Sequence, residues 1–176
     1  MRHSDREAVR AELEAWRDGG NHVDPRLLAE LSRPGDLFLI TLDDVDSFLS
    51  LIWQESDPAR LLTPRTEPRT LRDVVERLRK LGHSLERLRA DLGLPRTEHH
   101  PEWFEPCARI DAAFDYERFG RLAVVPATDG ERAQSLRGSF YVFDGMHKSL
   151  VLAKRLLADE VEFRPIEALL LVPRPK

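Results

Sequence analysis

The stretch Ser139-Phe-Tyr-Val-Phe-Asp-Gly-Met-His-Lys-Ser-Leu-Val-Leu-Ala-Lys-Arg-Leu156 constrains the fold of this chain more than any other. Phe140 to Phe143 are strand formers, Asp144-Gly145 is a turn pair, and Leu150, Val151, Ala153, Lys154 and Leu157 then follow at helical spacing. A strand that runs directly into a helix needs partner strands. Three short apolar runs qualify: Leu37 to Leu42, Leu122 to Val125 and Ile166 to Val172. With residues 127–138 as a polar loop around Asp129-Gly130, the last third reads strand, loop, strand, helix, strand, which is a compact α+β unit.

Upstream, helical patterns dominate. Ser4 and Glu7 form a capping box ahead of Val9, Leu13 and Trp16, and Gly19-Gly20 stop that helix near 18. Asp24-Pro25 opens a second helix that Pro34-Gly35 ends. Val45, Phe48, Leu49, Ile52 and Trp53 predict a third, closed by Asp57-Pro58, before a proline-rich loop at 58–69. Thr70 caps a helix with Leu71, Val74, Val75, Leu78 and Leu81 on one face, and after Gly82 a further helix starts at Ser84 and ends at Gly93. His99-His100-Pro101 and Pro106 bracket an irregular stretch, and Ile110, Ala113, Phe114 and Phe119 predict one more helix up to Gly120. The expectation is a single α+β domain of 1–176. Residues 1–107 form a mainly helical part with one strand near 37–42, packed on a small mixed sheet whose core is 108–176.

Composition narrows the class of function. The chain has 176 residues and one cysteine, so Cys107 forms no internal disulfide and no Cys-based zinc site exists. No window approaches the roughly 20 apolar residues of a membrane span, and a cytoplasmic location is expected. The net charge of −4 is unevenly spread: residues 1–57 hold 6 basic and 13 acidic side chains, 58–98 hold 10 and 6, and 99–176 hold 11 and 12. A polyanion would meet the middle segment, not the whole molecule.

The chemistry-bearing residues cluster at 144–149. A helix opening at the end of a strand leaves backbone N–H groups of about 145–148 without intrahelical partners, which makes an anion site. Gly145 allows close approach, Met146 contributes backbone, Lys148 brings charge, Ser149 a hydroxyl, and His147 a group that titrates near neutrality. A carboxylate repels phosphate, so Asp144 is either the helix cap or the holder of Mg²⁺ or of a substrate hydroxyl. The bland alternative for the turn is structural capping alone. His99, His100, Glu102 and Glu105 have metal-ligand chemistry, but beside Pro101 they read as a solvated loop; Trp103-Phe104 read as a packing anchor, Cys107 as a core residue and Arg60 as a surface arginine.

The segment Leu122 to Val172 resembles the ParB/sulfiredoxin fold, through Val124-Val125-Pro126, Gly130, Phe140 to Lys148, Leu152-Ala-Lys-Arg-Leu156 and Pro165 to Val172. The resemblance implies that the 144–149 turn holds nucleotide phosphates. Activities in the superfamily include CTP-dependent segregation clamps, sulfinic-acid reduction with ATP, phosphorylation of free serine with ADP or ATP, and nuclease activity. Met146 stands where sulfiredoxins keep a cysteine nucleophile, and Lys148 replaces the usual arginine. Only four residues follow Val172, so a stand-alone nucleotide-binding domain is expected in preference to a clamp. The implied cofactor is Mg²⁺ with ATP, ADP or CTP. The implied reaction is phosphoryl transfer to a small hydroxylated acceptor, with Asp144 and His147 catalytic and Asp144 the metal ligand. A further carboxylate is expected upstream, with Asp43, Asp44, Asp46 and Glu55 as candidates.

A different function class rests on 70–93. Leu78, Gly82 and Leu88 are compatible with a helix-turn-helix whose second helix carries Arg87 and Arg89, which makes a DNA-associated or regulatory protein the alternative. Glu86 and Asp91 on the same helix oppose it.

Overall fold

A computed structural model describes residues 2–19, 23–53, 70–80, 99–126 and 140–173, the side chains of 2, 3, 99–105 and 173 excepted. The second half of the 70–93 hairpin, the proline-rich 58–69 segment and the 127–138 loop lie outside the described residues. So do Glu55, Arg60 and the side chains of His99, His100, Glu102, Trp103, Phe104 and Glu105.

The expected strands form and join in one mixed sheet. Its strands are β1 (Arg2–His3), β2 (Gly35–Leu42), β3 (Leu122–Pro126), β4 (Phe140–Asp144) and β5 (Ile166–Pro173), in the order β1-β2-β5-β3-β4. Only the β3/β5 pair is parallel. Continuous apolar runs are understandable here because both faces are covered. On one face, Leu37, Ala123, Val125, Tyr141, Leu169 and Leu171 pack beneath α1 (Arg6–Asp18) and α2 (Pro25–Leu31). On the other, Leu42, Val124, Val142, Ala168 and Leu170 meet α3 (Val45–Leu49), α4 (Leu71–Lys80), α5 (His99–Ala112) and α6 (Met146–Leu157). The fold is α+β and one helix comes from within the last third, both as expected, while helices flank the sheet on two sides.

Several helix boundaries differ from the pattern for identifiable reasons. The cap of α1 is Asp5, whose Oδ1 accepts from the Glu7 and Ala8 N–H groups at 2.9 and 3.3 Å. Ser4 instead donates its N–H to the Leu37 carbonyl at 2.8 Å, so the chain remains extended one residue longer. Helix α3 ends at Leu49, well short of Asp57, because the following residues pair with strand β4: the Ile52 N–H donates to Phe140 O at 2.8 Å and Val142 donates back to Ile52 O at 2.9 Å. That pairing closes the outer edge of β4. The stretch expected to be irregular around Pro101 and Pro106 is helical, with Pro106 inside α5. The missing proline N–H removes one helical bond. The following turns are nevertheless anchored: Cys107 is buried, and Asp111 accepts from Lys154 and from Arg155 Nε, the latter at 2.8 Å. The helix expected up to Gly120 stops at Ala112 and is succeeded by a single 3₁₀ turn, Tyr116–Arg118, capped by Asp115.

Candidate functional site: the β4–α6 turn and its cleft

Helix α6 begins without a side-chain cap. Its N-cap is Gly145 at φ +91°, a left-handed conformation that glycine adopts readily, and no side chain among the described residues caps the first turn. The capping role considered for Asp144 is therefore not the one it plays. By helix geometry the orphan donors are the N–H groups of Met146, His147 and Lys148, since the Ser149 N–H already donates to Gly145 O at 2.9 Å.

A β-bulge sets the direction of Asp144. Val124 pairs with Val142, yet Ala123 pairs with Asp144, so one extra residue, Phe143, is accommodated on β4. Strict alternation from Val142 would send Asp144 to the α6 face. The bulge instead sets it opposite Ala123, on the face covered by α1. There its half-buried carboxylate makes no hydrogen bond or ion pair among the described residues. Two cations act on it at longer range: Arg26, whose guanidinium is bound to Asp24 at 2.6 Å, and Lys148.

Asp144 and Lys148 line a cleft of about 920 Å³ between α1 and the segment 113–121. Gly145, Met146, His147 and Ser149 do not line it. Met146 packs against the core beneath α6, and His147 is half-buried with its Nε2 atom covered. Ser149 is fully buried, its hydroxyl donating to Met146 O at 2.9 Å, so no hydroxyl is presented to a ligand.

Lys148 has a different occupation from the one its charge suggests. Its Nζ donates to the carbonyls of Phe119 at 2.8 Å and Arg121 at 2.6 Å, and stands 5.3 Å from the centroid of the Phe119 ring. Desolvation lowers its pKa below the ordinary value, with Asp144 opposing the change. The ammonium thus pins the loop around Gly120 to the first turn of α6. Phosphate recognition would rest on backbone N–H groups, with this charge contributing from behind.

Other acidic candidates hold structural posts. Asp44 caps α3 through the Ser47 N–H at 2.7 Å, its pKa lowered by the bonds from the Ser47 side chain and backbone, and Asp46 pairs with Arg72 at 2.6 Å. Asp43, Asp44 and Asp46 do not line the cleft. No cluster of three or more metal-ligating side chains occurs among the described residues. Burial pushes the Cys107 thiol up to about 12, which makes it an unreactive core residue.

Sequence reading missed the cleft's outer wall. Arg121 bridges Glu12 of α1 at 3.3 Å and Glu167 of β5 at 3.0 Å, joining three segments distant in the chain. No motif or periodicity marks those residues. No described helix is long and apolar enough to cross a membrane. Comparison with known proteins finds no matching family model, no matching curated relative and no matching solved structure, so the ParB/sulfiredoxin resemblance rests on the motifs of 122–172 alone.

Proposed function

We propose that the protein binds a nucleotide with its phosphates on the Gly145 to Lys148 backbone, and that it transfers a phosphoryl group to a small hydroxylated acceptor. The observation that carries this reading is the uncapped start of the twelve-residue helix α6 beside a carboxylate that makes no hydrogen bond or ion pair among the described residues. Anion and carboxylate are compatible neighbours if something positive or proton-bearing lies between them. A Mg²⁺ ion suits Asp144, because that ion is commonly held by one or two carboxylates together with substrate phosphates, without a cage of protein ligands. When bound, it would neutralise phosphate charge.

In the transfer, the acceptor oxygen forms a bond to the terminal phosphorus while the bond from phosphorus to the bridging oxygen breaks, its electron pair leaving with the nucleoside diphosphate or monophosphate. Asp144 serves either as the holder of the Mg²⁺ ion or as the base that takes the acceptor's hydroxyl proton. The Lys148 charge, lying behind the turn, stabilises negative charge on the moving phosphoryl group. The DNA-associated alternative rests on Arg87 and Arg89 of the second helix of 70–93, which lie outside the described residues.

Isothermal titration with ATP, ADP and CTP, each with and without Mg²⁺, tests the proposal. One nucleotide should bind, and Asp144→Asn should remove the Mg²⁺ dependence of its affinity. Absence of heat with all three, combined with salt-dependent retention of duplex DNA, would establish the alternative.

A further inference from the structure

The cleft under α1 has a chemistry of its own. Its walls include Leu13, Ile110 and Phe114, and Trp16 stands at the rim, 55% exposed although it was expected to pack inward with Val9 and Leu13. About 920 Å³ falls within the size range of small-molecule sites, which are mostly apolar with a few polar groups that fix orientation. Among the charged groups lining it, Arg121 is bound to Glu12 and Glu167, Glu117 to Arg164 at 3.3 Å, Arg118 stands 3.6 Å from Asp115, Lys148 is spent on two carbonyls, and Arg109 is exposed on α5. Asp144 stands apart, turned into this space by the Phe143 bulge with its acceptor oxygens unengaged among the described residues. A carboxylate can only accept, so it selects a ligand that donates.

We infer that the cleft between α1 and the 113–121 segment is a binding site for a largely apolar small molecule carrying one hydroxyl or amine that donates to Asp144. Anionic versions of the same molecule are disfavoured, because their charge would stand beside the Asp144 carboxylate, which Arg26 and Lys148 offset only at longer range. Helix α1 is the cover of this site. None of its residues is fully buried, and the Glu12–Arg121 pair ties it to the opposite wall. The site stands independently of the nucleotide reading, which uses the first turn of α6, although both share Asp144.

Three probes differing in one group provide the test: 2-naphthalenemethanol, 2-naphthylmethylamine and 2-naphthoate, titrated calorimetrically into the full chain. The alcohol and the amine should bind at least about tenfold more tightly than the carboxylate, as a hydrogen bond to a charged group would give. Asp144→Asn should bring the amine and the carboxylate to within about threefold of each other. Leu13→Arg, on the half-buried face of α1, should abolish binding of all three while leaving the circular dichroism spectrum and any nucleotide affinity intact. Failure of the probes to bind the wild type, indifference to their charge, or unchanged affinities in Leu13→Arg would overturn the inference. Nucleotide binding retained alongside that failure would sink this site alone, and probe binding without nucleotide binding would sink the other reading alone.

Discussion

Gly145 and Lys148 hold the turn by shape and by hydrogen bonding, and each makes a distinct prediction. A Cβ at Gly145 would lie 2.6 Å from Leu122 Cδ2 and 2.7 Å from Lys148 Cε, in addition to requiring φ +91°. Gly145→Ala should therefore destabilise the fold by about 1–3 kcal/mol in chemical denaturation, the range expected for strained backbone. An unchanged midpoint would mean that the turn can relax. For Lys148 the folded pKa lies below its ordinary 10.5. The unfolded chain then binds the extra proton in the window between those values, so stability contributed at this site rises with pH there. The neutral amine still has two N–H groups for its two carbonyl acceptors. Cys107 acts in the opposite sense, its stabilising effect being lost between 9.0 and about 12, but it is common to wild type and variant and cancels in their difference. Unfolding free energy of wild type minus that of Lys148→Met should thus increase as pH rises from neutrality towards 10.5. A difference that is flat or falls would show that the ammonium is not desolvated.

At the level of elements, α5 and α6 are joined through one carboxylate. Asp111 accepts from Lys154 and from Arg155 Nε, while Arg155 also reaches the Asp111 carbonyl at 2.6 Å and stacks 5.1 Å from the Phe114 ring. These groups are partly exposed, and the backbone anchor survives side-chain removal. Asp111→Ala should therefore cost only about 1–2 kcal/mol, measured by denaturant unfolding. A larger loss would mean that α5 detaches as a unit. The four longer strands and helices α1, α2, α4 and α6 were legible because their apolar residues recur with periods that backbone geometry imposes. Other features depend on partners distant in sequence. Asp5 displaces Ser4 as a cap because Leu37 claims the Ser4 N–H, and α3 stops early because Phe140 and Val142 claim Ile52. The site divides in the same way. Gly145 and the start of α6 could be read from Asp-Gly followed by a helical pattern. The bulge at Phe143, the carbonyls that occupy Lys148 and the bridge from Glu12 through Arg121 to Glu167 are tertiary facts with no local signature.

Across the whole molecule, the two layers of helix are held with very different strength. The α6 layer shares a large cluster with Phe48, Trp53, Val74 and Leu152, each fully buried. By contrast, α1 rests on Val9 and Leu13 and is fastened mainly at its start, where Arg6 donates to Glu30 O at 2.6 Å and Leu31 O at 3.3 Å. Its far end carries exposed Trp16, and Arg121 ties its middle, at Glu12, across the cleft. Regions with few buried apolar contacts open locally at free energies below that of global unfolding. Native-state hydrogen exchange should accordingly find the later amides of α1 exchanging well before those of α6 and β5. Leu152→Ala, which should lower global stability by about 2–5 kcal/mol, should reduce protection in α6 and β5 while leaving α1 exchange unchanged. Arg121→Ala should do the reverse, accelerating α1 exchange about twofold to fivefold, the range for loss of a solvent-exposed ion pair. If α1 protection instead fell in step with β5 in Leu152→Ala, the cover would be part of the cooperative core, and a ligand could enter the cleft only through motion of the 113–121 segment.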